Sequence, residues 1–346
     1  MWFEQLFGFT EQSPAQVKKN LSLEGTKLTS LVNKQTYECG TLEVPGLGEL
    51  RSDAAVNAQQ TAGRTTFRQV VGDVQDLHTA PESQKAMFQV ASQFNLLEMA
   101  TPNAIPEDGV GIYEYDHTQG PACAIAAGAG TVFRNYFVPL NDQTGQSKHD
   151  QIDCLSDIAK TLRNESKQLW HMKNGYAFAS ASGLRIIADH LATLEKESLD
   201  LLRAKLHVGI MWNTEVTIGQ PEDMTVASSG KAPCLPTHVS QIYCSAVPVS
   251  YSSEPASAWE PFARLILEAT YEASLNAAVI NQARNGSNLL FLTMIGGGAF
   301  GNPTEWIVDA MRRALRIHKN SGLDVRVVSH RSPNPHLNSL VSEFQA

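Results

Sequence analysis

From residue 207 onward, short continuous apolar runs alternate with stretches where apolar residues recur every three to four positions. Residues 207–218, 240–251, 289–295 and 324–329 are runs of the first kind, rich in β-branched and aromatic side chains, and predict strands. Residues 259–281 carry Phe262, Leu265, Ile266, Ala269 and Leu275 on one side and predict a long helix; residues 304–318 predict another. Strands that alternate with helices in this way imply an α/β sheet with helices on both faces.

The first half is less regular. Residues 65–74 and 88–99 predict two strands, the second mostly buried. Pro102, Asn103, Pro106 and Gly109 mark a loop, and residues 111–115 read as short and extended. Residues 121–136, PACAIAAGAGTVFRNY, predict a helix whose small side chains allow close packing. Ile152, Leu155, Ile158, Ala159 and Leu162 fall at helical spacing, and a second helical run follows at 183–206, so residues 141–206 read as a helical insertion. Residues 1–64 read as an irregular N-terminal extension, with Phe3, Leu6, Phe7 and Phe9 packing onto the body formed by residues 65–346.

Composition narrows the function class. The chain has 346 residues, 42% of them apolar, enough for a substantial core. Its net charge of −8 argues against general nucleic-acid binding, which needs a basic footprint, but leaves room for a small anion held by backbone N–H groups. The five cysteines, Cys39, Cys123, Cys154, Cys234 and Cys244, form no C-x-x-C pair and no zinc spacing, so reduced thiols, no metal and no cofactor are expected. The N-terminus carries an early Glu and no basic stretch, and no apolar run is long enough to span a bilayer. A cytoplasmic protein without a membrane partner is the expectation; export by a route that leaves no such signal stays open.

The segment 289–303, LLFLTMIGGGAFGNP, carries the sharpest chemical signal. A strand that ends in glycines and opens a helix leaves backbone N–H groups free to bind an anion, most often a phosphate. A tight connection is the alternative. Glu98 lies among apolar residues, where a carboxylate is either paired or functional. Glu107, Asp108, Glu114 and Asp116 crowd the following loop, and repulsion between them would raise one pKa, which suits general acid–base work. Cys123 near a helix start reads either as an activated thiol or as a small buried side chain. Arg134 and Asn135 read as structural, while Trp212, Asn213 and Glu215 read as residues that line a cleft.

Four pieces stand in an informative order: Gly72-Asp73-Val74, Ala91-Ser92-Gln93-Phe94-Asn95, the loop 116–123 (DHTQGPAC) entering a helix, and Gly296-Gly297-Gly298-Ala299-Phe300-Gly301-Asn302-Pro303. This set resembles the macrodomain superfamily, including its poly(ADP-ribose) glycohydrolase branch, over about residues 65–140 and 240–330. The fourth piece matches the family pattern G-x-G-x-F/Y-G-x-P well. The second lacks the family's double alanine and following triple glycine, and the block 141–206 has no counterpart in a minimal macrodomain.

The resemblance implies a three-layer α/β/α sandwich around a mixed sheet. It implies ADP-ribose binding in a cleft and hydrolysis of an ADP-ribosyl linkage on protein, with arginine as the acceptor in one subtype. It assigns Asp73 to the adenine amino group, Val74 to substrate binding and Asn95 to the distal ribose. Gln119 and Gly120, with the loop Gly296, Gly297, Gly298, Ala299, Phe300, Gly301 and Asn302, would hold the diphosphate and distal ribose. Asp116 or Glu98 would be the general acid–base. A binding module without turnover and a thiol hydrolase built on Cys123 are the rival readings.

Overall fold

A seven-stranded mixed sheet organises the computed structural model, which describes residues 1–219, 236–284 and 286–345. Its strands are β1 (Thr41–Glu43), β2 (Thr66–Val71), β3 (Met87–Ala91), β4 (Gly209–Glu215), β5 (His238–Cys244), β6 (Leu289–Leu292) and β7 (Asp324–Ser329). They lie in the order β1-β4-β5-β3-β6-β7-β2. The five strands from β5 to β2 run parallel, and β4 is antiparallel to both β5 and β1. The carboxyl ends of β3, β5 and β6 therefore open on the same edge of the sheet.

The helices that matter here are α1 (Leu47–Asn57), α2 (Val74–Thr79), α3 (Gln119–Ala126), α4 (Ala181–Thr193), α5 (Ala256–Ala283) and α6 (Thr304–Ile317). Alternate side chains of β3 identify the two covering layers. Phe88 stacks on His78 of α2 at 3.7 Å, whereas its neighbour Gln89 donates to Ser274 Oγ of α5 at 2.8 Å. Gln241 of β5 joins α3 to the first layer by donating to the Cys123 carbonyl at 2.8 Å. On the other face α1 and α6 flank α5: Arg51 of α1 reaches Glu272 of α5 at 2.5 Å, and Arg313 of α6 pairs with the same carboxylate. Helix α5 is apolar nearly all round because the sheet lies on one side and α1, α4 and α6 on the other. The result is the expected three-layer α/β/α sandwich with a mixed sheet. Among the described residues, no helix is long and apolar enough to cross a membrane.

Several local expectations need correction. The predicted strand 88–99 ends at Ala91. Beyond it the chain turns back on itself, with Leu96 at φ 65° and the Gln93 N–H donating to the Leu97 carbonyl. Polar side chains satisfy this buried loop: Gln93 Oε1 accepts the Met99 N–H at 2.9 Å, and Gln146 Nε2 donates to the Asn95 carbonyl at 3.0 Å. An apolar run cannot distinguish a buried loop from a buried strand. Residues 111–115 form a 3-10 turn rather than an extended piece. The predicted helix 121–136 is divided into α3, Gly128–Val132 and a π-helical turn, Phe133–Phe137. The insertion 141–206 is helical only in part, because Trp170–Lys173 and Tyr176–Ala179 form a hairpin. The strand predicted over 240–251 stops at Cys244.

The N-terminal 64 residues are also more ordered than expected. They hold the helices Trp2–Phe7 and Pro14–Asn20 and a three-stranded sheet, Leu21–Glu24, Lys27–Ser30 and Thr36–Glu38. Phe3, Leu6 and Phe7 do pack onto the body, in an apolar cluster with Leu97, Tyr113 and Tyr136. The expected boundary at residue 64 does not coincide with a structural one, since β1 is the outer strand of the central sheet and Leu47 and Leu50 of α1 belong to the main core.

Candidate active site

A cavity of about 260 Å³ lies where β3, β5 and β6 end. Its floor includes Ala91, Cys244 and Thr293, the last or next residue of each strand. Ligands of open α/β sheets bind at the carboxyl edge.

One wall is the buried loop after β3, which carries Glu98. Both Glu98 and Arg134 have no side-chain exposure, and Arg134 Nη1 donates to the two carboxylate oxygens at 3.0 and 3.2 Å. The guanidinium is set by the Leu96 carbonyl, by Thr131 Oγ1 at 3.0 Å and by the Tyr243 ring 3.7 Å beneath it. The Glu98 N–H donates to the Tyr113 hydroxyl at 3.1 Å. Burial pushes the Glu98 carboxyl up to about 7, and the Arg134 guanidinium limits the rise. Arg134 is thus structural, as expected, and the group it holds is a carboxyl poised near neutral pH.

The second wall is the start of α3. A Cβ on Gly120 would stand 1.8 Å from the Ala91 carbonyl oxygen, so only glycine lets the helix touch the end of β3. Gln119 fastens that contact: its Oε1 accepts the Ala91 N–H at 2.9 Å and its Nε2 donates to the Gln89 carbonyl at 2.8 Å. The side-chain amide does there what a neighbouring strand would do. Asp116, half-buried at the cleft mouth, accepts the Thr118 N–H at 2.9 Å. Among the described residues, the N–H groups of Gln119 and Gly120 have no intramolecular acceptor, as the first helical turn dictates.

The glycine loop forms the third wall. Gly296 and Gly301 have φ of 74° and 67°, which a side chain would strain. The Gly297 N–H donates to the Met294 carbonyl at 3.0 Å, and the Asn302 N–H to the Gly296 carbonyl at 2.9 Å. The N–H groups of Gly298, Ala299 and Phe300 have no acceptor among the described residues. Phe300 closes this end with Tyr176 and Tyr251, whose ring centres lie 5.3 and 5.8 Å from its own.

Of the residues singled out in the sequence, Glu98, Asp116, Gln119, Gly120, Gly296, Gly298, Ala299 and Phe300 line this cavity. The others do not. Asp73 is exposed and caps α2 by accepting the Gln75 N–H at 2.8 Å, and Val74 belongs to the main core. Asn95 is buried, bonded to the Leu97 N–H at 3.1 Å and to Gln151 at 2.9 Å. Gly297 faces Ile307 and the Met294 carbonyl, and Gly301 faces Ser250. Asn302 Nδ2 ties the loop to the Val247 carbonyl at 2.9 Å.

Trp212, Asn213 and Glu215, expected to line a cleft, lie away from it on β4. Trp212 packs under Arg284 at 4.4 Å, and Glu215 accepts the Glu38 N–H at 2.8 Å. Cys123 is fully buried, and burial drives its thiol well above the ordinary value, the reverse of activation. The other described cysteines are buried and free as well, while Cys234 lies outside the described residues.

Tyr176 was not anticipated in the site. It sits on the hairpin, and the Asn174-Gly175 dipeptide, with φ of 47° and 78°, is the signal that would have predicted that turn.

No protein-family model matches the chain, and no curated protein does either. Among solved structures, the chain is similar to poly(ADP-ribose) glycohydrolase from Deinococcus radiodurans in complex with ADP-ribose. The identity is 10% and the TM-score 0.44, over 87% of this chain and 95% of that one. It is also similar to poly(ADP-ribose) glycohydrolase from Thermomonospora curvata bound to the inhibitor ADP-HPD, at 11% identity and a TM-score of 0.44, over 95% of this chain and 97% of that one. What the site does follows from its own residues.

Proposed function

We propose that the chain binds ADP-ribose in this cleft and hydrolyses an ADP-ribosyl linkage on protein. One observation carries the reading: two sets of unpartnered backbone N–H groups, at Gln119–Gly120 and at Gly298–Phe300, border one cavity that also holds a buried carboxyl near neutral pH. Backbone donors of this kind hold a diphosphate without a cationic side chain. Among the described residues, no Lys or Arg lines the cavity. The motif resemblance supports ADP-ribose as the diphosphate ligand.

In this reading the protonated Glu98 donates its proton to the leaving atom as the bond from the anomeric carbon breaks. Asp116 takes a proton from the water that attacks that carbon. Product release and proton exchange restore both carboxyls. An ADP-ribosylated arginine peptide is the first substrate to try, because the acidic side chain of Asp116 stands at the cleft mouth and no Lys or Arg lines the cavity among the described residues.

Calorimetry with ADP-ribose, comparing the wild type with Gly298→Glu, tests the reading. A Cβ on Gly298 meets nothing within 4 Å, so the variant folds while its carboxylate fills the anion site. Binding that is lost only in the variant supports the proposal. A folded wild type that binds no ADP-ribose refutes it, and binding without turnover of the peptide leaves only the binding module.

A further inference from the structure

Glu11, in the N-terminal segment, has contacts that the site so far does not use. Its carboxylate accepts the Val110 N–H at 3.1 Å, the Gly111 N–H at 2.6 Å and the Tyr136 hydroxyl at 2.6 Å. The first two open the 3-10 turn Gly111–Tyr115, so the turn is capped by a residue about a hundred positions away. The surroundings are built to admit that carboxylate. A Cβ on Gly109 would stand 2.5 Å from Glu11 Oε2, and one on Gly111 2.8 Å. A second strut from the same segment joins the turn, since the Trp2 N–H donates to Glu114 Oε2 at 3.1 Å. Phe3 and Phe7, both fully buried, anchor the segment itself.

What Glu11 joins is specific. The 3-10 turn carries Tyr113, which accepts the Glu98 N–H, and it ends at Asp116. The π-helical turn Phe133–Phe137 carries Tyr136, which bonds Glu11, and Arg134, which bonds Glu98. One carboxylate thus ties together the two segments that fix Glu98 from both sides, and it holds the turn that delivers Asp116 to the cleft.

We infer that Glu11 is a positioning residue for the proposed hydrolysis, so that the N-terminal segment completes the active site rather than merely covering the core. The inference rests on the function proposed above. Glu11 touches no ligand; it sets where the two carboxyls stand, and misplacement of reacting groups by about 1 Å costs on the order of a hundredfold in rate.

The test uses the full chain, an ADP-ribosylated arginine peptide for turnover and free ADP-ribose for calorimetry. Glu11→Ala is expected to lower kcat about tenfold or more while KM and the ADP-ribose Kd stay within about twofold. Glu11→Gln keeps one acceptor oxygen and is expected to fall between the two. A kcat for Glu11→Ala equal to the wild type, or a loss that merely follows the fraction of folded protein, overturns the inference and leaves the proposed function standing. A wild type that neither binds ADP-ribose nor turns over the peptide removes the proposed function and this role with it. Should Glu11→Ala fail to fold, Tyr136→Phe removes only one of the three bonds. A several-fold fall in kcat at unchanged KM then supports the inference, and an unchanged kcat overturns it.

Discussion

Glu98→Gln tests the electrostatics of the site without reference to any ligand. Burial lifts the Glu98 carboxyl from its ordinary 4.5 to about 7 in the folded chain. A group whose folded pKa is raised contributes stability that is complete below its unfolded pKa and is lost as pH rises through the folded one. At about 1.36 kcal/mol per pKa unit, the wild type loses on the order of 3 kcal/mol from this group between pH 4.5 and 8. The variant cannot titrate there. At pH 4.5 the wild-type carboxyl is protonated, so Glu98 and its Gln replacement are both neutral beside Arg134, and only at higher pH does the wild type carry the counter-charge. Urea unfolding of both proteins at half-unit pH intervals gives the difference in stability, in which all other titrating groups cancel. That difference should move in the variant's favour by on the order of 3 kcal/mol from pH 4.5 to 8. A flat difference would refute the raised carboxyl, and with it the assignment of Glu98 as the proton donor. The same titration should appear in turnover, with kcat/KM falling above pH 7 as Glu98 loses the proton it delivers.

Gly120→Ala forces a Cβ against the Ala91 carbonyl, so thermal unfolding should show a loss near the upper end of the 1–3 kcal/mol overpacking range, at about 3 kcal/mol. His78, buried against Phe88 and held neutral with its pKa lowered to about 4, contributes stability that is present above pH 6.5 and lost as pH falls through 4; His78→Asn should flatten that acid limb in the same urea series. Cys123→Ala should leave the proposed turnover unchanged at a cost of roughly 1 kcal/mol in stability, and iodoacetamide should not abolish it in the native protein. Asp73→Ala should cost about 1 kcal/mol as a lost helix cap, measured by chemical unfolding. A fall in ADP-ribose affinity for that variant, measured by calorimetry, would give Asp73 a ligand role beyond the cap.

The α/β class and the late elements were legible because the signals are local. In β6, α6 and β7 the apolar period, the flanking glycines and the lengths all point to one answer, and the observed bounds fall within a few residues of the expected ones. The glycine loop was legible for the same reason: consecutive glycines permit a backbone that other residues cannot adopt. Four of its seven residues line the cavity, and the other three hold it in shape.

What misled was burial. The run 88–99 keeps apolar residues along its whole length, from Phe88 to Met99, and nothing in it says that the strand stops at Ala91 and the remainder becomes a loop satisfied by distant side chains. Asp73 caps α2 and Asn95 braces the buried loop, and a local sequence does not separate such roles from the ligand contacts expected of these residues. The Asn174-Gly175 turn was present in the sequence, but the helical spacing around it hid the hairpin that brings Tyr176 to Phe300.

The sequence by itself determined the layered α/β class, the glycine turn at 296–302 that leads into α6 and the acidic residues available for chemistry, since each depends on neighbours along the chain. Only the tertiary structure decided which carboxyl is buried. Glu98 meets Arg134 from 36 residues away, and Glu11 reaches the turn before Asp116 from about a hundred. The pKa of a buried group is set by the solvent it loses and the charges it meets, and both are fixed by the folding of remote segments onto one another.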